Sequence, residues 1–573
     1  MDRIKTNTIM TPNTKSILSG LCAGLILIGS GSLITSCADS DFLNHEPYAN
    51  GDTNKDFYKD PNNLRLAVDA LNRFTSEEGT TGRGYMWMEN ASDNCITGRN
   101  QAEAAQIKNF TMDASNGRDW NENWDRMYQV IGSANELIKA VDNLHVEGEL
   151  RDYVLGNAYF YRGMAYLWLA PWHGDDGPNG GIPIITDKTP VSEMDSDRPK
   201  SVLENYDLII SDMDQAAAHL PLFSQQSDDQ YGRPWKAAAW GLAARAALYA
   251  SQFDAKYYDK VIEYCDRIIN LSGADKRSLY PDFSTLFTAK NNFSSEYIFS
   301  FLGSATAAAG PKWHGMSFQN GGFGRFNTWG YFCPTAELYD AYEEGDVRRQ
   351  ASFAGPGDRV VFMDLDFKLG EPKISKDKQG KEIRTIDEKL LPSTPANILL
   401  TKWISPYRTA DNAGKEFFQN GNFMCTTLGM VVLRYADILL MKAEALIWTR
   451  GEGNAEAVSI LNQIRTRAGL SANSQGTKAE LKQERRCELA FEFLTPRWLD
   501  LMRWGDFDLL EQPLHGFDLN YYGMTYDPAT GKGERKLIEV WPARKFNPTV
   551  NKVFPIPQSA IDGSKHLKQN VGY

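Results

Sequence analysis

Cysteine and histidine are scarce in this 573-residue chain, seven of each, and neither kind gathers. There is no C-x-x-C pair and no His-Glu-x-x-His, which excludes a disulfide framework, a zinc ribbon and a zincin active site. A phosphate loop and a dinucleotide fingerprint are also missing, and no nucleophile elbow occurs after the first 36 residues. Charge of one sign never forms a long block: 61 basic and 73 acidic residues are interspersed, for a net of -12. The electrostatic footprint of a phosphate-backbone binder is therefore absent, and no nucleic-acid partner is expected.

One uncharged stretch stands out near the N-terminus. It runs from Ser16 to Ser36, is rich in Leu, Ile and Gly, and follows Arg3, Lys5 and Lys15. That is the layout of a secretory signal; a membrane anchor is the alternative, since the run is nearly long enough to span a bilayer. Dilution by Gly and Ser argues for the signal, as does the ending Leu33-Ile34-Thr35-Ser36-Cys37, which resembles a bacterial lipobox. Residues 1–36 are then removed, and Cys37 becomes an acylated N-terminus whose several chains hold where one would be marginal. Asp39 and Asp41 follow it, resembling the surface-export signal of Bacteroidetes lipoproteins. The expected mature chain keeps 58 basic and 72 acidic residues, a net of -14. Five scattered cysteines remain, of which Cys265 and Cys487 fall in helical patterns as small buried apolar groups.

Most of the remainder has the three-to-four spacing of helices. Trp124, Tyr128, Ile131, Ala134, Leu137 and Ile138 make one stripe; Val154 to Leu169 make a second, expected to stop at Pro171. Val202–Leu220 reads as a third. Leu242 to Leu248 and Leu440 to Leu446 are Ala-rich segments, each followed by an amphipathic helix (257–270 and 454–467), resembling degenerate tetratricopeptide units. Further helices are expected from Thr477 to Phe493 and from Arg497 to Leu510. Between about 280 and 425 the period is lost, and Gly, Pro, Asn and aromatics take over, with strand-like pieces at 296–301 and 359–362 and a charged loop at 375–389. The fold class is thus mainly α: a tetratricopeptide-like scaffold of helical pairs (about 55–275 and 430–573) carrying a loop-rich insertion, all within one domain, 37–573.

The last third carries a family resemblance. Leu433-Arg434-Tyr435-Ala436-Asp437-Ile438-Leu439-Leu440, Leu461 to Gly469, Glu484-Arg485-Arg486-Cys487-Glu488-Leu489-Ala490-Phe491-Glu492, Arg497 to Gly505, Phe554-Pro555-Ile556-Pro557 and the tail Gln569 to Tyr573 resemble successive signatures of the SusD/RagB family of outer-membrane nutrient-binding lipoproteins. One departure stands out: Glu492 to Trp498 is longer than the family's Glu-Gly-x-Arg-Trp. The resemblance implies a non-enzymatic, surface-exposed outer-membrane lipoprotein that captures an oligosaccharide and hands it to a SusC-like TonB-dependent transporter. Peptide cargo on the same scaffold is a second reading, and a surface glycoside hydrolase, whose carboxylate pair only spatial separation would reveal, is a third. Arg434, Arg465, Arg467, Glu488, Arg497 and Asp500 alternate with apolar positions and read as salt-bridged packing between helices.

Aromatics are in surplus, 67 rings in all, and the surplus has an address. Trp313, Phe318, Phe323, Phe326, Trp329, Tyr331 and Phe332 place seven rings in twenty residues, spaced by glycines and by one charge, Arg325. Flat apolar faces beside polar groups suit a sugar ring, which offers a C–H face and a rim of hydroxyls. About half of these rings are expected to be local core. Trp87 with Asp93 and Asn94, placed in a loop that contributes to the glycan face in the family, and Trp403 with Tyr407 and Arg408 complete the expected ligand set; for Trp87, core is an equal alternative. No catalytic residue is assigned and no cofactor is expected. Asp175, Asp176 and Asn179 are either a calcium site or, more simply, a turn.

Overall fold

The helices follow from two compositions, amphipathic and small. The structure, a computed structural model, describes residues 57–573 except 76–79, 81–82, 99–100, 304–329, 363–364, 393, 404–416, 421–422, 427 and 493. Its main helices are α1 (Pro61–Thr75), α2 (Arg118–Asn143), α3 (Gly148–His173), α4 (Val202–His219), α5 (Lys236–Ala250), α6 (Tyr257–Ile269), α7 (Tyr435–Arg450), α8 (Ala455–Arg467), α9 (Lys478–Glu488) and α10 (Arg497–Trp504). The α2 stripe is buried from Trp124 to Ile138. In α6 only one face is buried: Tyr257, Tyr258, Val261, Tyr264, Cys265 and Ile268. By contrast α5 and α7 are buried almost all round, as expected of helices apolar on every side. Their alanines allow close approach. At Gly241 a Cβ would fall 2.0 Å from the Leu433 side chain, so only glycine fits there.

Each helix packs on the next: α2 on α3, α3 on α4, then α5, α6, α7 and α8, with α9 also against α7. The α6–α7 contact joins segments separated by the whole insertion, so the scaffold is continuous in space though interrupted in sequence. Local signals mark the ends. Ser201 caps α4 by accepting from the Leu203 N–H, Asn454 caps α8, and Thr477 with Glu480 forms a capping box at α9. Three boundaries differ from expectation. α3 runs through Pro171 to His173, giving up the one N–H bond that position 171 would otherwise make. α9 stops at Glu488, and α10 ends at Gly505, which takes the left-handed conformation (φ 72°).

Fourteen short strands occur among the described residues: β1 (Cys95–Ile96), β2 (Tyr297–Phe301), β3 (Cys333–Pro334), β4 (Phe353–Ala354), β5 (Arg359–Phe362), β6 (Leu365–Lys368), β7 (Lys373–Lys376), β8 (Glu382–Thr385), β9 (Leu399–Leu400), β10 (Phe417–Asn420), β11 (Phe423–Thr426), β12 (Met430–Arg434), β13 (Leu514–Phe517) and β14 (Leu537–Trp541). They pair only two by two, all antiparallel: β1–β3, β2–β12, β4–β9, β5–β6, β7–β8, β10–β11 and β13–β14. The charged stretch expected as a loop is in part the β7–β8 hairpin.

Buried ions tie the C-terminal helices together. Asp437 on α7 accepts from Arg245 of α5 (2.7 Å) and Arg485 of α9 (2.9 Å). Arg485 also reaches Asp500 (2.8 Å), and Arg503 of α10 binds Glu444 of α7 (2.9 Å). A larger cluster surrounds Arg434. All five of its N–H directions are used: Nε to Glu492 (2.7 Å), one terminal nitrogen to Glu296 and Glu488 (both 2.6 Å), the other to the Glu488 carbonyl and Glu492 (both 2.8 Å). Lys402, Arg467 and Arg348 complete the neutralisation of these carboxylates. Burial opposes ionisation of Glu488, but Arg467, Arg434 and Arg348 hold it far below the usual carboxylate range. The six charges assigned to packing from sequence are all in ion pairs of this kind.

Candidate functional site

Two segments of the insertion share both of their anchorages. In the β2–β12 pair Phe301 lies opposite Met430, so the chain leaving β2 and the chain entering β12 are neighbours. At the other end β3 lies against β9, so the first segment returns beside the point where the second departs. Hydrogen bonds pin this end. Gly98 donates to the Gly330 carbonyl (3.1 Å), Thr335 donates through its N–H to Asn94 O and through its hydroxyl to Asp93 O (both 3.0 Å). The Trp403 indole donates to Phe491 O (3.0 Å) and Lys402 Nζ to Ala490 O (2.7 Å). A Cβ on Gly98 would sit 2.5 Å from the Gly330 carbonyl oxygen, so this crossing needs glycine.

The predicted ligand residues divide accordingly. Trp313, Phe323, Arg325, Trp329, Tyr407 and Arg408 lie outside the described residues. Trp87, Asp93, Asn94, Tyr331 and Trp403 are described and buried, which for Trp87 and for part of the aromatic cluster is the core alternative. Trp87 does not lie in a loop: it links two short helices, Arg83–Met86 and Met88–Ala91, and is 0% exposed. Its ring meets Tyr331 edge-on at 5.2 Å and Phe332 at 6.0 Å. Trp403 packs on Phe287 at 5.2 Å. Asp93 pairs with Arg497 (3.0 Å) and Arg486 (3.1 Å), and Asn94 accepts from Arg486 (2.8 Å). Burial works against the Asp93 carboxylate, yet Arg486 and Arg497 hold it well below the usual range. The structure thus brings Trp87, Asp93, Asn94 and Tyr331 into one cluster, where they support the root of the aromatic segment.

Beneath that root lie two further ionisable groups. Lys108 Nζ donates to the carbonyls of Ser92 (2.7 Å) and Cys95, and burial, with Arg544 beside it, lowers its pKa far below that of an ordinary lysine. Burial pushes Glu89 up to about 7, against weak support from the Arg497 N–H (3.4 Å) and the Ser92 hydroxyl (3.3 Å). Asp175 accepts from the Asn179 amide (2.7 Å) across a turn closed by its own N–H to Gly180 O (3.0 Å). Asn179 in turn accepts from the Val571 N–H (2.7 Å), so these residues clip the C-terminal tail. Among the described residues no group of three or more His, Cys, Asp or Glu gathers as a metal site.

A cleft of about 590 Å³ opens nearby, between the segment 281–284, the short helix Val347–Ser352, β4, β5 and the end of α8. Phe283, Phe353 and Val360 form its base, and Gln350, Asp358, Arg359 and Thr466 stand around it. Sequence reasoning missed it, because its wall is assembled from several distant segments and only Thr466, Arg467 and Gly469 belong to a recognised motif.

The comparisons with known proteins cover nearly the whole of the frame. A profile described as the SusD family matches residues 295–573, and a second, described as starch-binding associating with outer membrane, matches residues 41–248. The chain belongs to the SusD/RagB family. Among SusD relatives, SusD-like protein P2 of Formosa agariphila is 26% identical over 483 residues, 78% of this chain and 84% of that protein. A solved SusD-like protein from Bacteroides fragilis NCTC 9343 superposes with a TM-score of 0.69 at 23% identity, covering 91% of this chain and 98% of its own. A laminarin-binding SusD-like protein gives 0.66 at 20% identity, covering 90% and 99%. At these identities the superpositions establish a common SusD fold. Among the described residues no helix is long and apolar enough to cross a membrane.

Proposed function

We propose that this SusD-family chain is a non-enzymatic, lipid-anchored cell-surface protein that captures an oligosaccharide and delivers it to a SusC-like TonB-dependent transporter. The observation that carries the reading is the shared rooting of the segments 302–330 and 403–429 on a rigid, ion-locked helical frame. Loops held by such a scaffold are where recognition concentrates. The first of them contains the Gly-spaced aromatics, and stacking on aromatic faces is the contact a sugar ring offers at low entropic cost. A structural relative that binds laminarin supports glycan over peptide as cargo. Attachment at Cys37 would hold the frame at the outer membrane.

Calorimetry of the mature chain with laminarin, starch, fructan and host-glycan oligosaccharides tests this reading. Binding to at least one glycan, weakened about tenfold or more by Trp313→Ala or Trp329→Ala with the fold intact, is the expected result. Failure to bind any glycan, or product release from one, refutes it. Cys37→Ala is expected to move the protein out of the membrane fraction.

A further inference from the structure

We propose that the 590 Å³ cleft beside β4 and β5 is a second ligand site, taking a neutral saccharide of one or two units; this rests on the glycan-binding reading and adds a site to it. Its volume falls within the range of small-ligand pockets, about 300–1,000 Å³. Its two arginines are in ion pairs, whereas its two carboxylates accept from uncharged donors. Asp358 accepts from the Tyr339 hydroxyl (2.5 Å) and the Gly355 N–H (2.9 Å), and Asp282 is engaged by Ser284 and Thr285. Arg359 forms a two-pronged pair with Asp366 (2.7 and 2.5 Å). An anionic ligand would therefore find no free cation, whereas a neutral one disturbs no pair and finds carboxylate acceptors for its hydroxyls.

Arg467 lines the cleft with its side chain only 4% exposed and its guanidinium 4.9 Å over the Phe283 ring. Its terminal nitrogens go to Glu296 and Glu488, and its Nε has no hydrogen-bond partner. Gln350, exposed on the rim, adds an amide that both donates and accepts. An apolar base, carboxylate acceptors and an amide rim match the C–H face and hydroxyls of a pyranose. Thr401, two residues before Trp403, also lines the cleft, so the site lies next to the root of the second insertion segment.

The test is saturation-transfer NMR of the mature chain with maltose, cellobiose, laminaribiose and xylobiose. Gln350→Trp and Val347→Trp, both at exposed positions on the rim, narrow the cleft without touching the core. The expected result is transfer to at least one disaccharide, weakened about tenfold in both variants and retained in Trp313→Ala and Trp329→Ala. Transfer unchanged by both rim variants overturns the second site. So does absence of disaccharide transfer while longer glycans still bind, an outcome that leaves the proposed function standing. Absence of binding to glycans of every length overturns both.

Discussion

Replacing Arg434 by Leu removes the cation at the centre of the buried cluster and orphans groups on Glu296, Glu488 and Glu492 at once. Adding up five charge-assisted hydrogen bonds would overstate the loss, because the carboxylates have a way out. Glu488 keeps Arg467 and Arg348, Glu492 keeps Lys402, Glu296 keeps Arg467, and the carboxylate left with an excess of charge can take up a proton. Starting from an unfolded-state pKa near 4.3, protonating one glutamate costs about 3.7 kcal/mol at pH 7 and about 1 kcal/mol at pH 5. The pH 7 value lies within the roughly 3–5 kcal/mol expected for breaking a buried pair. The sign is fixed by linkage: a carboxyl whose folded pKa is raised destabilises increasingly as pH rises above its unfolded value. In the native protein Glu488 is depressed instead, so its contribution is present above about pH 4 and fades below it. Both effects bring variant and wild type together on acidification. Urea unfolding followed by tryptophan fluorescence should show the midpoint lowered on the order of 1 M at pH 7 and much less at pH 5. An unchanged midpoint at pH 7, or a deficit that is the same at both pH values, refutes the argument.

Three other outcomes follow from the same geometry. Glu89, raised to about 7 chiefly by burial, should make Glu89→Gln gain on wild type by about 3 kcal/mol between pH 4.5 and pH 8 in thermal or urea unfolding, and a pH-independent difference would contradict it. Gly98→Ala forces a Cβ against the Gly330 carbonyl and should cost about 1–3 kcal/mol in unfolding experiments while weakening glycan binding at the root it distorts; wild-type values for both would remove the root from the binding argument. Arg198 bonds Gly181 O and Asn570 Oδ1 (both 2.6 Å) and His173 O (2.7 Å), so Arg198→Ala should speed proteolytic trimming of residues 553–573, read by intact-mass spectrometry. Equal trimming of variant and wild type would show that other contacts hold the tail.

The scaffold was readable because its signals are local and periodic. The α2 stripe, the Ala-rich α5 and α7, the amphipathic α6 and α8, and the charges at Arg465 and Glu488 all sit at helical spacing, and β2 and β5 were found within a residue. The two short helices around Trp87 were missed, since four residues show no period and every face of Met88–Ala91 is buried. The β7–β8 hairpin was missed for the opposite reason: almost every residue in it is exposed, so the alternation that marks a half-buried strand is absent. Burial of Trp87, Tyr331 and Trp403 depends on partners far away in the chain, such as Phe287 for Trp403, and no local pattern reveals that. Aromatic density alone does not tell a supporting ring from one open to a ligand.

Fixing both ends of two insertion segments on the same neighbouring strands has an evolutionary consequence. Loop-closure entropy grows only with the logarithm of length, so doubling a segment held at both ends costs about 0.6 kcal/mol. That is several-fold less than the loss of a single arginine from the cluster around Arg434. Length and composition between residues 302 and 330, or between 403 and 429, can therefore drift widely while the frame stays unaltered. If the proposed function holds, a lineage carrying this scaffold would change its cargo by rewriting these segments, with the strand pair β2–β12 and the β3–β9 contact serving as permanent fittings into which each new specificity is set.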